Sequence, residues 1–302
     1  MHSKVEKILA QLNTVLLGKV TQTKLALVCL LADGHLLIED LPGMGKTTLA
    51  STLAKTLGLN YQRVQFTSDM LPADIIGVSI FDPKRQMFSF HQGPVFNQVL
   101  LADEINRASP KTQSALLEAM EEKQVSVDGE TYPLPSPFFV IATQNPLDQV
   151  GTFPLPESQL DRFMIRIKLG FPSREAEMQM LKHRQSNTSI EEVVTVDELK
   201  AMQLAVQEVE ASDALLDYLI RLIAESRNGG LAVHPLSPRC SKTLLQASKA
   251  MAYINKRNYV IPEDVQAVFV AVTEHRLMGS QSEKIDNDAF SETILKRIDP
   301  LN

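Results

Sequence analysis

Apolar residues at Val5, Ile8, Leu9, Leu12, Val15 and Leu16 recur at the three-and-four spacing of an amphipathic helix, with Gly18 as its expected stop. A second, more apolar helix is predicted from about Thr21 to Ala32, closing at Gly34. The run Leu36-Leu37-Ile38 then reads as a buried strand. From there to about Phe171, short apolar runs alternate with helical patterns, as in a parallel sheet whose strands are covered on both faces. Five strands are predicted: Leu36–Ile38, Arg63–Phe66, Val99–Ala102, Phe138–Thr143 and Met164–Leu169. Helices near Thr47–Leu57 and Pro110–Glu122 lie between them, the second opened by Ser109 as N-cap and Pro110 at the first helical position. Two segments read as hairpin inserts. In 79–90, Ile80, Phe81, Phe88 and Phe90 flank the polar turn Asp82-Pro83-Lys84-Arg85-Gln86, and 125–134 turns at Asp128-Gly129.

After Gly170-Phe171-Pro172-Ser173 the strand-like runs give way to helical periodicity, so the expected division is an α/β domain over 1–171 and an all-helical domain over 172–302. Helices are predicted at about Ser173–Gln185, Val196–Glu208, Ser212–Arg227, Ser237–Asn255, Pro262–Arg276 and near the C-terminus. Asn228-Gly229-Gly230 ends one of them and Pro262 opens another.

Composition narrows the class of protein. A chain of 302 residues, 44% hydrophobic and 22% charged, is long enough for two folded domains and is neither disordered nor a disulfide scaffold. The longest apolar run, Leu25 to Ala32, falls far short of the roughly 20 residues of a membrane span. The N-terminus has no apolar signal region, which predicts a cytoplasmic protein. Cys29 and Cys240 form no ligand pair, and His2, His35, His91, His183, His234 and His275 are too dispersed for a local metal site. With 30 basic and 36 acidic residues the net charge is −6, which argues against a general attraction to nucleic acid.

The chemistry concentrates in three segments. Behind the first strand, Asp40-Leu41-Pro42-Gly43-Met44-Gly45-Lys46-Thr47-Thr48 leads directly into a helix. Glycines there let successive N–H groups converge on a phosphate, Lys46 reaches the β/γ oxygens and the Thr47 hydroxyl can ligate Mg²⁺. The usual pattern has a glycine where this chain has Asp40. Further on, the strand Val99–Ala102 ends in Asp103-Glu104, suited to hold Mg²⁺ through water and to polarise an attacking water. Third, the strand Phe138–Thr143 ends in Gln144-Asn145-Pro146. Asn145 would hydrogen-bond a γ-phosphate or the attacking water, or else simply begin an Asn-Pro turn.

Together these segments resemble the AAA+ ATPases, and within them the MoxR family. Leu155-Pro156-Glu157-Ser158-Gln159-Leu160-Asp161-Arg162-Phe163 and Leu236-Ser237-Pro238-Arg239 extend the resemblance over nearly the whole chain, and an acidic residue at position 40 is common in that family. The resemblance implies a five-stranded parallel sheet between helices followed by a helical lid, with ATP and Mg²⁺ as cofactors. It makes Asn145 sensor 1, Arg239 sensor 2, and Arg162 the arginine finger that reaches a neighbouring subunit's γ-phosphate. An arginine suits either role, since its planar fork is always charged. Read as a residue, Arg162 could instead pair with Glu157 or Asp161, and Arg107 is the alternative for a contact in trans. Whether Arg239 acts within its own subunit or across the interface is open. Val15-Leu16-Leu17-Gly18 matches the segment that lines the adenine pocket in the family, with Leu17 and Gly18 as the residues expected to touch the base, and read as residues alone it serves equally well as core. A finger in trans implies a homo-oligomer, a hexamer by analogy.

The function implied is a chaperone-like ATPase that hydrolyses Mg-ATP in a ring, moves its lid against the α/β domain and remodels or matures client proteins. Relatives often act beside a von Willebrand factor A domain partner. The alternatives are a nucleic-acid motor and a metal-insertion subunit resembling magnesium chelatase. The two hairpins fall where relatives carry inserts that project toward the pore or client. The first tip is charged and carries no aromatic paddle, which argues against gripping an unfolded chain.

Overall fold

The computed structural model describes residues 2–84, 86–146, 151–182, 189–228, 234–278 and 290–300. Of the sequence-based expectations, Arg85, His183, the end of the helix drawn to Gln185 and the pair Gly229-Gly230 lie outside them. The chain opens with α1 (His2–Val15) and α2 (Val20–Leu31), then β1 (Leu36–Glu39), α3 (Lys46–Thr56) and β2 (Tyr61–Gln65). A short α4 (Pro72–Ile76) precedes the hairpin β3 (Gly77–Asp82) and β4 (Met87–Gln92). Next come β5 (Val99–Asp103), α5 (Pro110–Glu122), the hairpin β6 (Gln124–Val127) and β7 (Glu130–Pro133), β8 (Phe139–Gln144), a single-turn α6 (Glu157–Leu160) and β9 (Ile165–Ile167). The remainder is helical: α7 (Arg174–Lys182), α8 (Val196–Gln207), α9 (Asp213–Glu225), α10 (Pro238–Ile254), α11 (Pro262–Met278) and α12 (Phe290–Arg297).

The five long-range strands form one parallel sheet in the order β2-β5-β8-β1-β9. Their pairing puts Glu39 beside Gln144 and Gln65 beside Asp103, so the C-terminal ends of four strands are level along one edge. Strand period sorts the side chains between two cores. Leu36, Ile38, Leu101 and Ile141 face α1, α2 and α3, whereas Leu37, Leu100, Val140 and Ala142 face α5. The first core runs without a break into Leu199, Leu219, Leu244 and Val268, so the helical region shares apolar packing with α1, α2 and β9.

Local signals account for the helix starts. Ser109 Oγ accepts the Thr112 N–H (3.3 Å) at the head of α5, while Thr195 and Glu198 form a reciprocal capping box at α8. Ser212 and Ser237 cap α9 and α10 in the same way. α4 and α6, of five and four residues, were not predicted, because single turns leave no periodic trace.

The two hairpins stack on one another through Phe90 and Tyr132, whose ring centroids lie 4.3 Å apart. Behind the charged tip of the first hairpin stand the aromatic residues that flank the turn. Phe81 and Phe88 pair across β3 and β4 one step behind the turn, with centroids 5.3 Å apart, and are 50% and 68% exposed. The hairpin therefore carries an aromatic pair. Phe81 and Phe88 flank the turn as expected from the sequence, and strand register sets them directly opposite each other.

Candidate functional site

A cleft of about 340 Å³ opens at the C-terminal edge of the sheet, lined by Pro42, Gly43, Gly45, Lys46, Thr47, Thr48, Arg63, Gln65, Asp103 and Glu104. Gly43 and Gly45 take φ of +83° and +92°, left-handed angles that side-chain-bearing residues rarely adopt, and this turns the loop's N–H groups inward ahead of α3. Lys46 is buried and its Nζ donates to the Asp40 carbonyl (2.7 Å). Met44 does not line the cleft and packs against the first core instead.

At the end of β5 the two carboxylates diverge. Glu104 sits in the left-handed region at φ 56°, ψ 49°, a conformation costing a non-glycine residue about 1 kcal/mol or more. The bend separates the two side chains. Thr143 Oγ donates to Asp103 Oδ1 (2.6 Å) and accepts the Glu104 N–H (2.9 Å), so one hydroxyl fixes the start of the bend. Asp103 Oδ2 accepts from Arg63 Nη2 (2.6 Å) and Nε (3.1 Å). Arg63 Nη2 also donates to Gln65 Oε1 (3.1 Å), whose amide donates to Glu104 Oε2 (2.8 Å), and Arg107 Nε lies 2.9 Å from the same oxygen. Arg63, Gln65 and Thr143 were not predicted. Their signal was period two: Arg63 and Gln65 share a face at the C-terminal end of β2, the edge strand that lies beside Asp103 of β5.

Asn145 is buried at the tip of β8 between the Asp40 and Asp103 ends of the sheet, but does not line the cleft. Leu17 is half-buried and Gly18 exposed. Leu16 of the same segment lies against the loop: a Cβ on Gly45 would lie 3.5 Å from its Cδ2.

Arg162 and Arg239 lie elsewhere. They line a separate pocket of about 230 Å³ with Asp33, Gly34 and His35, at the N-terminal edge of the sheet. β1 alone, four residues long, puts about 13 Å between the two edges. Both guanidiniums converge on one carboxylate: Arg162 Nη2 lies 3.0 Å from Glu121 Oε2, and Arg239 Nη2 bonds Glu121 Oε1. The alternative pairing of Arg162 with Glu157 or Asp161 does not occur, since Glu157 pairs with His234 (2.5 Å) and Asp161 with Arg276 (2.6 Å). Arg107, the other candidate for a contact in trans, is engaged with Glu104 beside its own phosphate loop.

Buried groups fasten this arginine edge. Arg276 of α11 donates to the Asp161 carbonyl (3.1 Å), the Phe163 carbonyl (2.8 Å) and the Met164 carbonyl (3.3 Å), wrapping the backbone around Arg162. His35 accepts the Val140 N–H at Nδ1 (3.1 Å) and faces the Met120 carbonyl through Nε2 (3.3 Å), which requires the neutral Nε2–H tautomer. Its burial pulls the pKa down to about 4. His275, under Phe163, is pushed well below the usual histidine value by burial and then by Arg276.

The donor set of the cleft fits a magnesium-bound nucleoside triphosphate: a backbone cradle, a buried lysine, and hard oxygen donors at Thr47 and Asp103. Among the described residues no cluster of histidine, cysteine and carboxylate offers another metal site, and no helix is long and apolar enough to cross a membrane.

Comparison with known proteins agrees. Residues 35–165 match the model of the ATPase family associated with various cellular activities (AAA), and residues 225–298 match the AAA lid domain. The chain is 42% identical to the uncharacterized protein YeaC of Bacillus subtilis, over 99% of this chain and 94% of that one. It is 37% identical to Chaperone MoxR1 of Mycobacterium tuberculosis, over 97% of this chain and 80% of that one. A crystal structure from Cytophaga hutchinsonii, of a protein assigned provisionally as an ATPase, superposes with a TM-score of 0.88 at 37% identity, covering 99% of this chain and 95% of that one.

Proposed function

The chain belongs to the MoxR family of AAA+ ATPases, and on that premise we propose that it hydrolyses Mg-ATP in a homo-oligomeric ring, a hexamer by analogy, to remodel a client protein. What carries the reading is the opposed placement of two sets of residues: the phosphate loop and its carboxylates on one edge of the sheet, Arg162 and Arg239 on the other. An arginine at the far edge cannot reach its own subunit's γ-phosphate past the sheet, but it is placed to reach a neighbour's in a head-to-tail ring. On this reading both arginines act in trans, supported by their shared place beside Glu121.

Within one subunit the loop N–H groups and Lys46 hold the β- and γ-phosphates, with the segment around Leu16, Leu17 and Gly18 beside them for the base. Mg²⁺, held by the Thr47 hydroxyl and through water by Asp103, would neutralise phosphate charge. Glu104, steadied by Gln65 and Arg107, orients the attacking water and takes its proton. Asn145 supports the γ-phosphate end from β8. Arg162 and Arg239 of the next subunit leave Glu121 for the γ-phosphate and stabilise the charge that develops as its bond breaks.

Arg239 lies on α10, so hydrolysis frees the helical region of one subunit from the nucleotide of another. That release supplies the mechanical step. The exposed Phe81–Phe88 pair on the first hairpin offers an apolar surface to a client in the cytoplasm, with a von Willebrand factor A protein as adaptor. The test is phosphate release per chain at saturating Mg-ATP against protein concentration. A specific rate that rises and levels off as the ring assembles supports sites completed between subunits. A flat rate in a protein that sizing shows to be monomeric overturns it.

A further inference from the structure

Asp40 stands where a glycine-led phosphate loop has its first glycine, and every polar group it carries is engaged. Its N–H donates to the Gln144 carbonyl (3.1 Å) and its own carbonyl accepts from Lys46 Nζ (2.7 Å). Oδ1 accepts the Leu41 N–H (2.9 Å), and Oδ2 accepts the N–H of Gly170 (2.6 Å), which lies 130 residues further along the chain. Gly170 sits between β9 and α7 at φ +64°, an angle that suits glycine. The carbonyls around it are held from another side. Lys19, buried, donates to Leu169 (2.5 Å), Gly170 (2.9 Å) and Phe171 (2.8 Å), so its three protons serve three successive peptides.

Lys19 follows Gly18 in the α1–α2 loop, and a Cβ on Gly18 would lie 3.4 Å from Ala176 Cβ on α7. α7 has little else to hold it, since Ala176 alone of its nine residues is buried. The phosphate loop and the α1–α2 loop thus both fasten the short stretch that seats α7.

We propose that Asp40 and Lys19 are positioning residues that couple phosphate in the loop to the seating of α7. An incoming phosphate competes with the Asp40 carbonyl for Lys46 Nζ. The Asp40 peptide then loses one of its anchors, and the carboxylate passes the displacement to Gly170 through a charge-assisted hydrogen bond. Lys19 keeps 169–171 moving as one piece. A glycine at position 40 would serve the phosphate equally well and leave the Gly170 N–H without this acceptor. The coupling rests on the reading of the cleft as an ATP site and adds to it a route by which occupancy leaves the site.

The test is amide exchange on the full chain, with and without saturating Mg-ATP, in wild type, Asp40→Gly and Asp40→Asn, beside calorimetric titration of Mg-ATP. In wild type, Mg-ATP should change exchange over 168–182. Asp40→Gly should bind Mg-ATP within about threefold of wild type. It should also exchange the Gly170 amide at least about tenfold faster without nucleotide and lose the nucleotide response at α7. Asp40→Asn, which keeps an acceptor oxygen, should retain part of that response. A purely structural contact would speed exchange in both states and leave the response intact. Should Asp40→Gly fail to fold, Lys19→Met is read by the same criteria. Wild type that binds Mg-ATP with no change over 168–182, or Asp40→Gly that responds as wild type does, overturns the coupling and leaves the ATPase reading standing. Asp40→Gly that no longer binds Mg-ATP also overturns it, because the carboxylate then serves the loop alone. Wild type that binds no Mg-ATP overturns the nucleotide reading itself.

Discussion

The two edges of the sheet are built by different means. At the C-terminal edge, the candidate site residues sit at strand tips: Lys46 and Thr47 behind β1, Asp103 and Glu104 at the end of β5, Asn145 beyond β8. Parallel pairing in register brings them level with no further instruction. At the N-terminal edge, Arg162 comes from the turn before β9, Arg239 from α10 and Glu121 from the end of α5, gathered by the packing of helices over the sheet. One edge is a consequence of strand topology. The other exists only because the helical region shares a core with α2 and β9.

That contrast can be broken most severely by single substitutions at either edge. Arg162→Ala should keep Mg-ATP affinity and lower turnover by about 10³-fold, the scale of an arginine finger. Glu104→Gln should likewise bind and lose turnover by about 10²–10⁴-fold. Mixing the two inactive variants sharpens the comparison. An Arg162→Ala subunit next to a Glu104→Gln subunit has a complete site, so an equimolar mixture should recover roughly a quarter of wild-type turnover if mixing is random. No recovery would mean that the two edges do not meet between subunits.

Smaller effects probe how each edge is held. Thr143→Val removes the hydroxyl shared by Asp103 and Glu104 and should lower turnover about tenfold, with nucleotide affinity unchanged, in a steady-state assay. At the arginine edge the readout is pH. His35 is neutral in the fold with its pKa lowered from 6.5 to about 4, so between those values the unfolded chain binds the proton and the folded chain does not. Stability should therefore fall as pH drops through that window, by on the order of 3 kcal/mol, and level off below it. His275 contributes with the same sign. Urea midpoints from pH 7 to pH 4 measure the fall, and His35→Gln should flatten part of it.

The C-terminal edge was legible because each part is a local pattern: glycines before a lysine and threonine, two acids after an apolar strand. Helix boundaries were legible where a cap fixed them, as at Ser109, Thr195, Ser212 and Ser237. Arg63 and Gln65 were harder, because polar residues are ordinary on an edge strand and gain meaning only once the neighbouring strand is known. The pairing of Phe81 with Phe88 needed hairpin register, and Asp40 looked like a departure from pattern until Gly170 was seen to need an acceptor.

The sequence by itself determined the parallel sheet, the phosphate loop, its carboxylates and the order of the helices, since these depend on residue type and on spacings of a few residues. The tertiary structure alone decided that Arg162 and Arg239 share Glu121 on the edge away from their own phosphate loop, and that Asp40 and Lys19 hold the approach to α7. Those contacts join segments tens to more than a hundred residues apart. Burial and hydrogen-bond geometry select such pairs only after the chain has closed around them, and local sequence carries no record of the closure.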